Sequence, residues 1–341
     1  MTGELEEGMT VERFKQPLQA PTQACLDAAP RVARVAPTPA LPEAPPQPAS
    51  PPVAQALQPQ PRGHVRTAIG LLLAGMACFA ISDALAKHLA PRVAVPELVW
   101  FRYVLLALTI VPLLARNRAL LHSPRKLFQV GRCMGMLGAA LLFVAALGVM
   151  PLAEATAIAF ASPTFTTALS ALLLKERVDG WRWFIVLAGL GGVLVVMQPG
   201  TAAFQPAGLL ALASALCWAV AVMFTRKVAE TDSVRTTMAY SALVGLLATS
   251  VVAWPSLRWP AQADWLPLLG MACAWCGAQW LVVTAYQRMN ASVLAPFAYA
   301  QLLFAALLGL VWFGYWPSLH AVLGMAIILA CGVAAAWRAR A

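Results

Sequence analysis

From Thr67 onward the sequence is a succession of apolar runs, each near the length of a bilayer-crossing helix and divided from the next by a short polar break. Crossing the hydrocarbon core takes roughly 20 residues of helix, and in lipid each backbone polar group has to be satisfied within the structure itself. Runs at 68–89, 97–115, 128–149, 152–174, 181–197, 206–229, 234–254, 265–287, 291–313 and 317–337 qualify. They predict an all-α membrane protein of ten transmembrane helices. The composition allows little else. Of 341 residues 60% are hydrophobic and 11% charged, with mean hydropathy +0.72, whereas a soluble domain carries about 25% charged residues. Only a few residues remain per connection, so consecutive spans are expected to run antiparallel, and a soluble catalytic module is excluded.

Residues 1–66 are of another kind. The first 61 hold 13 of the 26 prolines among alanine and glutamine, too little contiguous apolar surface to fold. They are expected to be a disordered cytoplasmic tail. A start assigned too far upstream would look the same. The segment is not a signal peptide, because no unbroken apolar stretch follows its basic residues.

Lysine and arginine set the expected orientation. Arg62 and Arg66 precede span 1, and Arg116, Arg118, Arg125 and Lys126 follow span 2. Lys175, Arg177 and Arg182 flank the loop after span 4, and Arg226, Lys227 and Arg235 the loop after span 6. Arg288 follows span 8, with Arg338 and Arg340 after span 10. The alternate connections hold little beyond Arg92 and Arg258. Both termini are therefore expected in the cytoplasm. The net charge of +10 is explained by these loops, without a nucleic-acid partner.

Sliding the chain against itself by 139 residues aligns Cys78-Phe79-Ala80 with Cys217-Trp218-Ala219 and Lys87-His88 with Arg226-Lys227. It also aligns Gly131 and Gly138 with Gly270 and Gly277, and Ala159, Ala161 and Phe165 with Ala298, Ala300 and Phe304. Each unit, 67–197 and 206–337, holds an odd number of spans, so the second inserts upside down. Two inverted five-helix repeats around a midplane site are a design used by many carriers.

This pattern resembles the EamA-type branch of the drug/metabolite transporter superfamily. The resemblance runs through Pro151-Leu-Ala-Glu-Ala-Thr-Ala-Ile-Ala-Phe-Ala-Ser-Pro163 to Leu174-Lys-Glu-Arg177, then Ala291-Ser-Val-Leu-Ala-Pro-Phe-Ala-Tyr299 to Phe313-Gly314. The Pro-Leu-Ala-Glu-Ala-Thr stretch is similar to carriers of S-adenosylmethionine and related organic anions. One departure stands out. The family commonly ends span 9 with Gly-Glu, and here Gly314 is followed by Tyr315, while the first repeat keeps Glu176.

Charges within spans are costly and face a bundle interior or a partner. Asp83 and Lys87 in span 1, Arg102 in span 2 and Glu154 at the start of span 4 all fall in the outer third, and their formal charges cancel. They read either as a structural ion-pair network or as one shared substrate or proton site. In the second reading Arg102 receives an anionic group, since its guanidinium is a bidentate fork, and Asp83 or Glu154 carries a coupling proton. Arg132, near the cytoplasmic end of span 3, is expected to snorkel to the interface. The second repeat offers Gln279, Trp280 and Tyr299 as lining candidates instead. Pro163 and Pro296 lie in spans 4 and 9, where proline permits either gating or a static kink.

Neither a metal cluster nor a Ser/His/Asp spacing is apparent, and Cys273-x-x-Cys276 stands alone, so neither an enzyme nor a cofactor is expected. No phosphate-binding loop is present, so ATP is not the direct energy source. The sequence points to a secondary carrier of a small amino-acid-like or organic-anion-like metabolite in the inner membrane. A lipid flippase and a non-transporting scaffold are the alternatives. The expected partners are that solute and membrane lipid, with homodimerisation open.

Overall fold

The computed structural model describes residues 62–173, 179–201, 204–289 and 291–338. The proline-rich segment 1–61 lies outside the described residues, as do Lys175, Glu176, Arg177 and Arg340. Twelve α-helices carry the described chain: α1 (Arg62–Leu89), α2 (Val95–Arg116), α3 (Lys126–Val149), α4 (Leu152–Ala159), α5 (Ser162–Leu173), α6 (Gly180–Met197), α7 (Ala207–Ala229), α8 (Val234–Ala253), α9 (Trp265–Arg288), α10 (Ala291–Ala298), α11 (Ala300–Phe313) and α12 (Leu319–Arg338). Eight spans are long and apolar enough to cross a membrane, with α4–α5 and α10–α11 each making up one of them. Two shorter apolar helices, Trp183–Met197 and Leu319–Ala335, are the remaining two of the ten. The first helix begins at Arg62, five residues ahead of the expected boundary. Its first turn carries Gly63, a poor helix former, ahead of the apolar run.

The spans expected to bend are each interrupted by a short turn. Phe160 and Ala161 separate α4 from α5, and Tyr299 separates α10 from α11. Pro163 is the second residue of α5. Its missing N–H and its ring deny the Ala159 carbonyl the bond a continuous helix would make, so the turn at Phe160–Ala161 lies where a proline interrupts a helix. Pro296 sits in the last turn of α10, where it gives the helix no N–H to donate to the turn before it.

Packing follows the 139-residue offset, which carries α1–α6 onto α7–α12. Helix α1 lies along α9 as α7 lies along α3, and α2 meets α9 as α8 meets α3. The pairs α2–α8 and α6–α12 are each made of counterparts. Small residues let the last pair close in: a methyl group on Gly324 would stand 2.6 Å from the Gly192 carbonyl oxygen. The core joins both repeats, with Leu89, Leu98, Leu147, Leu152, Leu268 and Met271 fully buried.

The basic loops share one face of the bundle, called here the basic side, and the charge-poor loops the other. On the basic side, the loop ahead of α3 is clasped to the loop after α7. Arg125 donates to Glu230 at 2.6 Å, Ser123 donates to Asp232, and Gln129 donates to Asp232 at 2.7 Å. The hydrogen bond from Arg125 holds the Glu230 carboxyl below its ordinary value. Burial pushes the Asp232 carboxyl up, but the bonds from Ser123 and Gln129 outweigh it and leave it lowered. The charge-poor side has its own clasp. Arg92 stands 3.2 Å from Asp264 as an ion pair without hydrogen-bond alignment, and Glu97 accepts from the Arg258 N–H at 2.9 Å.

Candidate functional site

The two breaks meet. Phe160 and Tyr299 stack with ring centroids 4.9 Å apart and planes inclined by 30°. They are counterparts at the 139-residue offset, and two counterparts in contact lie at the two-fold relation between the repeats. Behind Tyr299 the backbone of α12 comes so near that a methyl group on Gly332 would fall 2.0 Å from the ring.

On one side of that stack the halves are together. Helix α4 packs against α11, and Tyr315 donates its hydroxyl to Glu154 at the start of α4. Gly314 makes this possible. Its φ of 64° ends α11 in the left-handed conformation, which suits glycine and turns Tyr315 back over the bundle. Burial, reinforced by the bond to Glu154, pushes the Tyr315 phenol up, so it stays a donor across the physiological range. Nearby, α1 closes on α3: a methyl on Gly148 would stand 3.3 Å from Cβ of Ala90. On the basic side the equivalent packing is slight at most among the described residues, both between α5 and α10 and between α7 and α9.

Of the four intramembrane charges expected to share a site, two meet. Arg102 donates to Asp83 at 3.1 Å and to the Ser82 carbonyl at 3.1 Å, and Gln301 of α11 donates to the other Asp83 oxygen at 3.3 Å. Arg102 and Asp83 are both buried, and Nε of Arg102 has no hydrogen-bond partner. Lys87 is not part of this cluster. Its ammonium donates to the carbonyls of Leu147 and Met150 at 2.9 and 2.7 Å, 5.7 Å from the centre of the Phe313 ring. Glu154 goes to Tyr315, and no hydrogen bond or ion pair joins it to Asp83 or Arg102 among the described residues.

Arg132 requires a correction, since it does not snorkel. It is 9% exposed and donates to Thr225 of α7 at 3.1 Å and Ser241 of α8 at 2.7 Å. Ser241 is the counterpart of Arg102, so the second repeat meets a buried arginine here with a hydroxyl. Trp280 donates to Thr109 at 3.4 Å and lines a cavity on the basic side between α2, α8 and α9, along with Met238, Arg235, Thr284 and Gln287. Gln279 is half-buried on the same helix.

Comparison with known proteins agrees with this architecture. The profile of the EamA-like transporter family matches residues 66–198 and again 205–335. A riboflavin transporter of Vibrio cholerae is 30% identical over 268 residues, 77% of this chain and 90% of its own. An S-adenosylmethionine uptake transporter of Rickettsia prowazekii is 24% identical over 73% of this chain and 85% of its own. A pseudopaline exporter of Pseudomonas aeruginosa is 28% identical over 77% of this chain and 94% of its own. A crystal structure 21% identical in sequence shares the fold, with a TM-score of 0.56 over 80% of this chain and 98% of its own. These relatives are membrane transporters of small molecules, an uptake carrier and an exporter among them. With two family matches that fall on the two inverted halves of the bundle, the chain belongs to the EamA-like transporter family.

Proposed function

We propose that this protein is a secondary carrier of an amino-acid-like or organic-anion-like metabolite, working by alternating access in the inner membrane with its basic side in the cytoplasm. The observation that carries the reading is the unequal closure of two equivalent gates. Inverted repeats build both gates from the same parts, and exchanging the conformations of the repeats converts one access state into the other. Here α4 and α11 stand together while α5 and α10 pack slightly at most among the described residues. With the basic loops inside, that is an inward-open carrier whose closed end is sealed by the Phe160–Tyr299 stack and the Tyr315–Glu154 bond.

The anionic side of the reading is supported by Arg132. Among the described residues Arg132 has hydroxyl partners and no compensating charge, which an anionic solute would supply. Arg102 already has Asp83, so the anion-holding role passes to Arg132 and the Asp83–Arg102 pair ties α1 to α2. Glu154, bound to Tyr315 at the closed gate, is our choice for a coupling carboxylate. The relatives named for riboflavin and S-adenosylmethionine make those two compounds natural first probes.

The test is uptake into proteoliposomes of a labelled panel of amino-acid-like and organic-anion compounds, those two included. We expect saturable flux with counterflow, and a larger loss in Arg132→Gln for anionic members than for neutral ones. Reporter fusions after Arg125 and after Thr201 should report the cytoplasm and the opposite side. Movement of labelled lipid without solute flux would favour a flippase, and equal reporter signals would overturn the topology.

A further inference from the structure

Resting on the alternating-access reading, we propose that Lys87 and Arg226 are paired gate cations. Each closes its own side of the carrier by capping the C-terminus of the opposing helix, Lys87 on α3 in the present state and Arg226 on α9 in the other.

The last carbonyls of an α-helix have no partner within it and form the negative end of its dipole. In a membrane they need a donor from elsewhere. Helix α3 ends with Met150 extended, its N–H on the Ala146 carbonyl at 3.0 Å. Helix α9 ends the same way, with Met289 extended and its N–H on the Ala285 carbonyl at 3.1 Å. The two helices therefore present the same set of carbonyls, one on each side of the bundle.

Lys87 takes two of those on α3, the Leu147 and Met150 oxygens. The 139-residue offset that maps Phe160 onto Tyr299 maps Lys87 onto Arg226, Leu147 onto Tyr286 and Met150 onto Met289. The cation is kept, and its acceptors are backbone atoms that any sequence retains. Where Lys87 binds, α1 and α3 are closed, with Gly148 against Ala90. Where Arg226 stands, α7 and α9 do not close in the same way among the described residues. Exchanging the conformations of the repeats brings the end of α7 onto α9 and Arg226 onto the Tyr286 and Met289 carbonyls. One difference fits the change of cation. Gln287 stands where the other gate has Gly148 and holds the helices further apart, and the arginine fork spans a wider gap to two acceptors than an ammonium does.

Disulfide cross-linking in liposomes tests this, in the full chain with its native cysteines replaced. The pair Ala90→Cys/Gly148→Cys reports the present closed gate, and the equivalent pair Ala229→Cys/Gln287→Cys reports the other. Added to the second pair, Arg226→Met should slow its cross-linking by about tenfold or more, the population change expected on losing one charge-assisted hydrogen bond. Arg226→Lys should restore most of the rate. Lys87→Met should do the reverse, slowing the first pair and speeding the second. Cross-linking of the first pair in Arg226→Met at least as fast as in the parent shows that the variant is folded. If Lys87→Met shifts both pairs while Arg226→Met shifts neither, the paired-cation gate is wrong and alternating access stands. If the second pair never cross-links in any variant, both ideas fall.

Discussion

Asp83 and Arg102 exchange a hydrogen bond at 3.1 Å between α1 and α2, both buried. Removing one partner strands the other charge, which typically costs about 3–5 kcal/mol, whereas replacing both together can be nearly neutral. Arg102→Gln should therefore lower the melting temperature in detergent, and Asp83→Asn added to it should recover most of the loss. A single variant as stable as the parent would contradict the pairing. Part of this site was legible in the sequence. Common depth and opposite signs put Asp83 and Arg102 in one group of charges, with Lys87 and Glu154. The ends of Lys87 and Glu154 were not legible. One meets two backbone carbonyls, which no sequence pattern displays, and the other meets a tyrosine 161 residues away. Arg132 was misread for a related reason. Its place near the end of a span suggested an escape to the interface, but Thr225 and Ser241 reach it only through the packing of α7 and α8.

The helices themselves could be read from hydropathy, because a bilayer imposes one length and one polarity on every span. Their breaks could be read only in part. Pro163 and Pro296 pointed to the right spans, yet the chain breaks at Phe160–Ala161 and at Tyr299, residues with no helix-breaking chemistry of their own. The equivalence of the breaks emerges once the two spans meet. Loops carry another consequence. Glu230 and Asp232, in the basic-side clasp, both have carboxyls held below their ordinary values. A group with a lowered folded pKa contributes stability that is fully present above its unfolded value and lost as pH falls through the folded one. The clasp should thus be unchanged from neutral pH down to about 5 and loosen below the ordinary Glu and Asp values of 4.5 and 3.8. The mobility of a spin label at the exposed His122 reads this directly. Loosening above pH 5 would mean that other groups hold the loop.

At the scale of the molecule, a gapless offset of 139 residues and an odd number of spans implied two inverted repeats, and the packing bears out that architecture. Which gate is packed closed could not be read from sequence, because that rests on how α4, α5, α10 and α11 meet, and under the proposed alternating access one sequence serves both states. Identity with the relatives fixes transport, but the names of those relatives span uptake and export, so direction has to be measured. The central claim is that the two ends of the carrier open in turn. Its most direct test is a pair of distances in reconstituted protein: spin labels at the exposed Val149 and Trp316 for the charge-poor end, and at the exposed Leu172 and Arg288 for the basic end. The account predicts two populations whose distances are anticorrelated, with the basic end long when the charge-poor end is short, and Lys87→Met moving weight from one to the other. A single fixed distance at both ends, or two ends that lengthen together, would contradict it.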